Sequence, residues 1–368
     1  MFLQKLSLIN FKNYEEADLS FSEKINCFVG NNGIGKTNLL DAIHYLSISK
    51  SYFNIIDSQN IRHGTDFFLI QGSYVINNIT EEIYCGFKRN SRKVLKRNKK
   101  EYERLSEHIG LIPVVMITPS DNSLITEGSE ERRKLIDSII SQYDKIYLDD
   151  LIHYNRILLQ RNKLLKELSH NSAFDKETLD VLSDQLVGYG EKIYQKRSQF
   201  IDSFVPVFQK YYTSIAGTDE LAEIQYQSQL HVNSFKTLLT ENFQKDKIIE
   251  YTSVGIHKDD LILNLKGFPA KKIASQGQQK TYVVALKLAE FDFIASISGQ
   301  KPLLLLDDIF DKFDPGRVKQ IIHLASDKHF GQIFITDTEM NRIKSVLKEI
   351  AFSHSIFMVE QGKIVQAE

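Results

Sequence analysis

Cysteine is scarce in this chain: only Cys27 and Cys85 occur in 368 residues. They lie far apart and form neither a C-x-x-C pair nor an even framework. That argues against a disulfide scaffold or a zinc site and points to a reducing cytoplasm. Cys27 falls in an apolar run and reads as a small buried group. Long apolar runs are missing too. No stretch reaches the roughly 18 apolar residues that a spanning helix needs, so no membrane partner is expected. The opening MFLQKLSLINFKNY alternates like a strand rather than building a signal peptide. Net charge is only −1, so composition makes no global case for nucleic acid. Repeats and low-complexity linkers are absent. What remains is a chain of two or three domains by length, with 42% hydrophobic residues to build cores and 25% charged residues to cover them.

Against that background one string stands out. Residues 30–37 read Gly30-Asn31-Asn32-Gly33-Ile34-Gly35-Lys36-Thr37, a complete G-x-x-x-x-G-K-[ST] loop. The glycines let the backbone turn tightly, so that successive N–H groups cradle phosphate at the mouth of a helix. Lys36 is placed to reach the β- and γ-phosphates, and Thr37 to offer its hydroxyl to Mg²⁺. Asn38 follows on the same helix start. The flanks agree: Lys24–Val29 reads as a short buried strand and Thr37–Ser49 as a helix. The expected ligands are ATP and Mg²⁺.

The text changes character along the chain. Up to about residue 120 it is strand-rich, with candidate strands at Phe2–Ile9, Lys24–Val29, Phe67–Val75, Glu81–Lys88 and Pro113–Ile117. Apolar residues then recur three and four apart through Lys145–Leu168 and Lys176–Tyr212, with a break expected near Pro206. From Tyr251 strands and helices alternate again: Asp260–Leu265, Gln278–Ile297, Pro302–Leu306, a helix at Pro315–Ala325, Gln332–Thr336 and Ser355–Glu360. The economical reading is an α/β nucleotide-binding head split into 1–120 and 251–368, with a helical arm inserted at 121–250.

Two further motifs follow the insert. Pro302–Asp308 reads PLLLLDD, a buried strand with two carboxylates at its carboxyl end, where ligands bind in open α/β sheets. Asp307 is expected to serve Mg²⁺, and Asp308 to orient or deprotonate the attacking water. The bland alternative is an acidic pair capping the next helix. Ahead of a long helix stands Ser275-Gln276-Gly277-Gln278, with Ser275 a good N-cap and Gly277 opening the first turn. A capped helix is the simplest account of it. A second phosphate cradle is the other, and since one nucleotide needs only one, this cradle would serve another subunit.

The S-x-G-Q run, the carboxylate pair about 30 residues later and Asp311-Lys312-Phe313-Asp314 resemble an ABC-type ATPase head. More narrowly, LSLINFKNY at 6–14, FVGNNGIGKTNLLDAIHYLSISKSY at 28–52, ITP at 117–119, ERRKLID at 131–137, VGIHKDDL at 254–261, SQGQQKT at 275–281 and LLLDDIFDKFD at 304–314 resemble the RecF family of bacterial recombination-repair ATPases. The resemblance implies an ABC-type head with an antiparallel β part and an inserted helical lobe. It implies ATP-driven homodimerisation on single- or double-stranded DNA, slow DNA-stimulated hydrolysis, and work with RecO and RecR in loading the RecA recombinase at gaps and stalled forks. Ser275, Gly277 and Gln278 would then meet the partner protomer's nucleotide, and Asp314 would cross the interface. Departures are visible. Gln276 stands where many members carry Arg, and Asp337 where transporters carry a switch His, which leaves Thr336 as the substitute γ-phosphate sensor. The ITP segment replaces a Q-loop glutamine.

Residues 88–100 hold eight Lys or Arg and no acid. They read as a basic hairpin around Val94 and Leu95 whose Lys93, Lys96 and Arg97 are candidate DNA contacts; a solvated hairpin is the plainer account. An SMC or Rad50 type would need far longer arms, a transporter ATPase would lack the long insert, and a P-loop kinase would need no S-x-G-Q cradle.

Overall fold

The computed structural model describes residues 1–54, 56–170, 176–217, 220–308, 330–348, 352–360 and 362–367. Packing divides the chain into two units, Met1–Asn122 with Lys280–Glu368, and Ser123–Gln279. In chain order the elements are β1 (Phe2–Phe11), β2 (Tyr14–Ser20), β3 (Ile25–Val29), α1 (Lys36–Ile48), β4 (Phe67–Ile76), β5 (Ile79–Lys88), β6 (Val94–Arg97), β7 (Lys100–Glu101) and β8 (Val114–Ile117). The second unit carries α2 (Ser123–Thr126), α3 (Ser129–Ser141), α4 (Lys145–His170), α5 (Lys176–Ala216), β9 (Ala222–Gln227), α6 (Phe235–Glu241), α7 (Phe243–Ile249), β10 (Asp260–Leu265), β11 (Phe268–Pro269) and α8 (Ala270–Ile273). Then come α9 (Gln276–Ser298), β12 (Leu303–Leu306), β13 (Ile333–Asp337), α10 (Met340–Leu347), β14 (His354–Glu360) and β15 (Lys363–Gln366). The helix expected at Pro315–Ala325 lies outside the described residues. Among the described residues no helix is long and apolar enough to cross a membrane.

The first unit is built on two six-stranded sheets. One is antiparallel, in the order β2-β1-β4-β5-β6-β7. The other runs β15-β14-β3-β13-β12-β8, parallel from β14 to β8, with β15 antiparallel at its edge. Every residue of β3, β8, β12 and β13 is buried. That is the signature of strands covered on both faces, and it explains why they read as unbroken apolar runs rather than alternating ones. Helix α1 packs against β1, β4 and β5 of the first sheet and β8 and β13 of the second. Contact with both sheets accounts for apolar residues on several of its faces, Leu39, Leu40, Ala42, Ile43, Tyr45 and Leu46 all being buried. Below the parallel sheet Phe21 meets Phe334 and Phe357 edge-on, with centroids 5.0 and 5.7 Å away, a favoured aromatic geometry.

In the second unit α4 and α5 pack along one another. The break expected at Pro206 does not occur: α5 runs through it. Proline removes one N–H and crowds the carbonyl of Asp202, a cost of about 3 kcal/mol. Buried Phe200, Ile201, Phe204, Phe208, Tyr211 and Tyr212 flank it on both sides, and their burial offsets that cost. The unit also holds strands. β9 pairs antiparallel with β10 from Asp260↔Gln227 to Leu265↔Ala222. This pairing ties residues beyond 250 to the helices, so the unit ends at Gln279, whereas the expected insert stops at 250.

The ERRKLID and VGIHKDDL segments meet in this unit's core. Arg132 grips Asp260 through two hydrogen bonds of 2.7 and 3.0 Å, and Arg133 donates to the Asp259 carbonyl at 2.6 Å. Buried Arg197 bridges Asp137 at 2.9 and 3.1 Å, Asp259 at 3.0 Å and the Ile256 carbonyl at 2.8 Å. Nearby, His257 lies between the Tyr154 hydroxyl at 2.7 Å and the Thr252 carbonyl at 2.9 Å. Burial, opposed by the Thr252 contact and reinforced by Lys258, pushes the His257 imidazole from 6.5 down to about 4. Its folded-state value is depressed, so the unfolded chain takes up the proton first as pH falls. Between pH 6.5 and 4 the second unit is expected to lose roughly 2–3 kcal/mol from this group. Denaturant melts of wild type and His257→Gln across that window check it, the variant showing the shallower pH slope.

Candidate nucleotide site

β3 delivers its chain into the loop 30–35 at the carboxyl end of the parallel sheet, and α1 carries it away. Gly30 donates its N–H to the Asp337 carbonyl at 3.1 Å, pinning the loop to β13. Gly35 takes φ of 114°, and a Cβ there would strike the Asn13 side chain. At Gly30 a Cβ would strike the Val359 carbonyl oxygen. Glycine is required at both positions for close approach as well as for dihedral freedom. Asn31, Asn32 and Gly33 are exposed and Ile34, Thr37 and Asn38 half-buried. Lys36, 4% exposed, turns its ammonium to the carbonyls of Gly30 at 2.8 Å and Asn31 at 2.9 Å.

Sheet order brings the other half of the site alongside, since β13 lies between β3 and β12. The Thr37 hydroxyl contacts both carboxylate oxygens of Asp307, at 2.9 and 3.1 Å. Residues 270 positions apart in sequence, both assigned to Mg²⁺, are thus brought together. Burial raises the Asp307 carboxyl above its usual range and the neighbouring Asp308 charge adds to this, while hydrogen bonds from Thr336 and Thr37 and the Lys36 ammonium pull the other way. Asp308 has φ of 47°, a left-handed conformation that Asp tolerates better than most residues. Its N–H donates to the Thr336 hydroxyl at 2.9 Å, and its Oδ1 is buried with no hydrogen-bond partner among the described residues. A buried carboxylate oxygen without a partner is costly.

Three residues carry roles that sequence reasoning did not assign. Asn13 holds the loop from the β1–β2 turn, donating to the Ile34 carbonyl at 2.9 Å and accepting from Asn38 at 2.7 Å. Tyr14 donates to the Gly35 carbonyl at 3.1 Å. Both stand in the NFKNY run, whose purpose no periodicity reveals. Thr336, fully buried, donates to Asp307 at 2.8 Å while accepting from Asp308. Its hydroxyl therefore organises the carboxylate pair, where a γ-phosphate sensor was expected. Asp337 accepts the Glu339 N–H at 3.0 Å and also that of Thr338, shaping the turn into α10. Beside Thr37 and Asn38 opens a cleft of about 450 Å³ lined by Lys12, Asn13, Phe53, Asn54 and His63.

Ser275 and Gln278 form a reciprocal cap at the start of α9. The Ser275 hydroxyl accepts the Gln278 N–H at 3.3 Å, and the Gln278 Oε1 accepts the Ser275 N–H at 2.9 Å, satisfying two helix-end donors. Gly277 lies in the first turn. Asp314 lies outside the described residues.

The basic hairpin is partly neutralised. Lys93, with a side chain 8% exposed, binds Asp57 at 2.9 and 3.1 Å, the Ser49 carbonyl at 2.6 Å and the Tyr45 hydroxyl at 3.1 Å. It caps the carboxyl end of α1, where helix carbonyls favour a cation, and is withdrawn as a DNA contact. Arg97 is held bidentately by Glu81 at 2.6 and 2.8 Å, and the Lys96 ammonium sits 5.6 Å from the Tyr84 ring centroid.

Comparison with known proteins places this geometry. The model of the RecF/RecN/SMC N-terminal domain matches residues 2–364. The DNA replication and repair protein RecF of Phocaeicola vulgatus is 50% identical over 368 residues, covering 100% of this chain and 98% of that protein. The one from Flavobacterium johnsoniae is 49% identical, covering 97% and 99%. A solved structure described as the recombination mediator protein RecF with ATP in the RecFOR pathway superposes with a TM-score of 0.90 at 29% identity, covering 100% of this chain and 98% of that one. The architecture is the mixed α/β fold of an ABC-type ATPase head with an inserted unit.

Proposed function

The chain belongs to the RecF family, and from that premise we propose that it is an ATP-switched DNA clamp of replication and recombinational repair. ATP binds with its phosphates on the loop 30–37 and its nucleoside in the cleft beside Thr37. Two copies close around two nucleotides and together hold DNA. Hydrolysis then opens the pair. The observation that carries this reading is the presence of two helix starts suited to phosphate in a chain that needs one. The start of α1 has Lys36, Thr37 and Asp307 beside it; the start of α9, capped by Ser275 and Gln278, is assigned to the nucleotide of a second copy.

Mg²⁺ suits the Thr37–Asp307 pair, because a hydroxyl and one carboxylate within 2.9 and 3.1 Å of each other match a hard cation that completes its shell with waters and phosphate oxygens. Bound there, it would neutralise charge on the phosphates. Lys36 releases the loop carbonyls to meet the β- and γ-phosphates. Asp308, its backbone held by the Thr336 hydroxyl, orients or deprotonates the attacking water. ADP lacks the group that Ser275 and Gly277 of the other copy contact, so only ATP bridges the pair. RecO- and RecR-type mediators and delivery of RecA belong to the same reading.

Sedimentation with ATP, ADP or neither, with and without DNA, tests it. Wild type is expected to pair with ATP only, and more tightly with DNA. Ser275→Arg is expected to bind ATP as a monomer with unchanged affinity and to stay monomeric. A Ser275→Arg dimer indistinguishable from wild type would remove the role of α9 in pairing.

A further inference from the structure

The cap at the start of α9 is anchored from behind. With Gln278 Oε1 committed to the Ser275 N–H, its amide nitrogen faces the Glu220 carboxylate and reaches both oxygens at 3.0 Å. Glu220 is itself held at 3.1 Å by the Lys266 ammonium from the β10–β11 turn, and at 3.3 Å by the hydroxyl of Tyr212 in the last two turns of α5. Lys266 in turn donates its N–H to the Leu221 carbonyl at 2.7 Å, closing the ring. Glu220 is only 18% exposed at its side chain while Lys266 is 57% exposed, so the carboxylate is enclosed and its counter-ion is at the surface. These contacts keep the carboxyl below its usual range despite burial.

The chemistry makes Glu220 more than a tether. An amide has one acceptor end and one donor end, and it caps Ser275 only in one of its two orientations. A carboxylate accepts and never donates, so Glu220 admits only the capping orientation. We infer that Glu220 is a positioning residue for the nucleotide-facing end of α9: through Gln278 it sets the Ser275 cap, and through Tyr212 it links that cap to the end of the 41-residue helix α5. A change at the end of α5 is therefore felt at Ser275 without any contact between α5 and nucleotide. The inference rests on the reading above for the purpose of the cap, and on geometry alone for its existence.

The test uses the full chain with Glu220→Ala, Glu220→Gln, Gln278→Ala and the Glu220→Ala/Gln278→Ala double variant. Amide exchange at Ser275 and Gln278, whose N–H groups the cap holds, is expected to rise about tenfold in Glu220→Ala, the scale of one lost helix cap, while melting stays cooperative. The ATP-dependent dimer weakens to a similar extent and the monomer keeps its affinity for ATP. In the Gln278→Ala background, loss of Glu220 adds nothing further. Glu220→Gln can still accept from Gln278 and restores most of the protection. Wild-type exchange in Glu220→Ala, or full additivity with Gln278→Ala, overturns the assignment. Exchange is read on the protein without nucleotide, so an intact Ser275→Arg dimer would overturn the pairing role of α9 separately, and the exchange result would still decide Glu220.

Discussion

The Lys36→Arg variant is expected to retain ATP and to hydrolyse it at no more than about one-hundredth of the wild-type rate, the usual scale for losing one placed charge donor to the transition state. The loop around Lys36 is built to the length of an ammonium. Its side chain is 4% exposed, and its Nζ sits 2.8 and 2.9 Å from two loop carbonyls. A planar guanidinium is longer, carries its donors in a fork and cannot enter that space as a point charge. Net attraction for phosphate survives, so binding suffers less than turnover. Single-turnover hydrolysis alongside nucleotide titration checks the split. Wild-type turnover in this variant would take the P-loop out of the mechanism.

Arg197→Ala is expected to destabilise the second unit by about 3–5 kcal/mol, because it leaves buried carboxylates without their counter-charge. Asp259 is 1% exposed at its side chain. Burial already raises its carboxyl, with Arg197 the largest opposing influence. Removing the guanidinium also frees the Ile256 carbonyl and one side of Asp137. Chemical denaturation reads the loss directly, and Arg161→Ala offers a parallel case, since that residue pairs with buried Asp246 at 3.0 Å. An Arg197→Ala protein melting with wild-type parameters would mean that the network contributes nothing net.

How much of this was legible from residue order differs with the range of the interaction. The loop 30–37 was complete as a string because its chemistry is local, and β3, β8, β12 and β13 announced themselves as apolar runs because both faces are covered. The pairing of Asp307 with Thr37 could be expected from the two motifs together, though not its distances. Asn13 and Tyr14 went unassigned because their contacts with the loop span 21 positions and follow no period. For Thr336 strand position was visible, while its bonds to Asp307 and Asp308 were not. Lys93 was misread for a related reason: a run of positive charge says nothing about Asp57, 36 positions away, which neutralises part of it. Pro206 shows the opposite failure, a strong local rule overruled by tertiary burial. The β9–β10 pairing that carries the second unit to Gln279 is likewise long-range.

Thr336 has one proton to give and has given it to Asp307; what remains is a lone pair, and the Asp308 N–H takes it. Valine has the same outline and would fill the same space, but with no oxygen it would take from Asp307 one of its two hydroxyl donors and leave the Asp308 amide unanswered, which is why these two residues are not true isosteres. Serine would answer both. At position 336 the fold therefore asks for an alcohol before it asks for a shape.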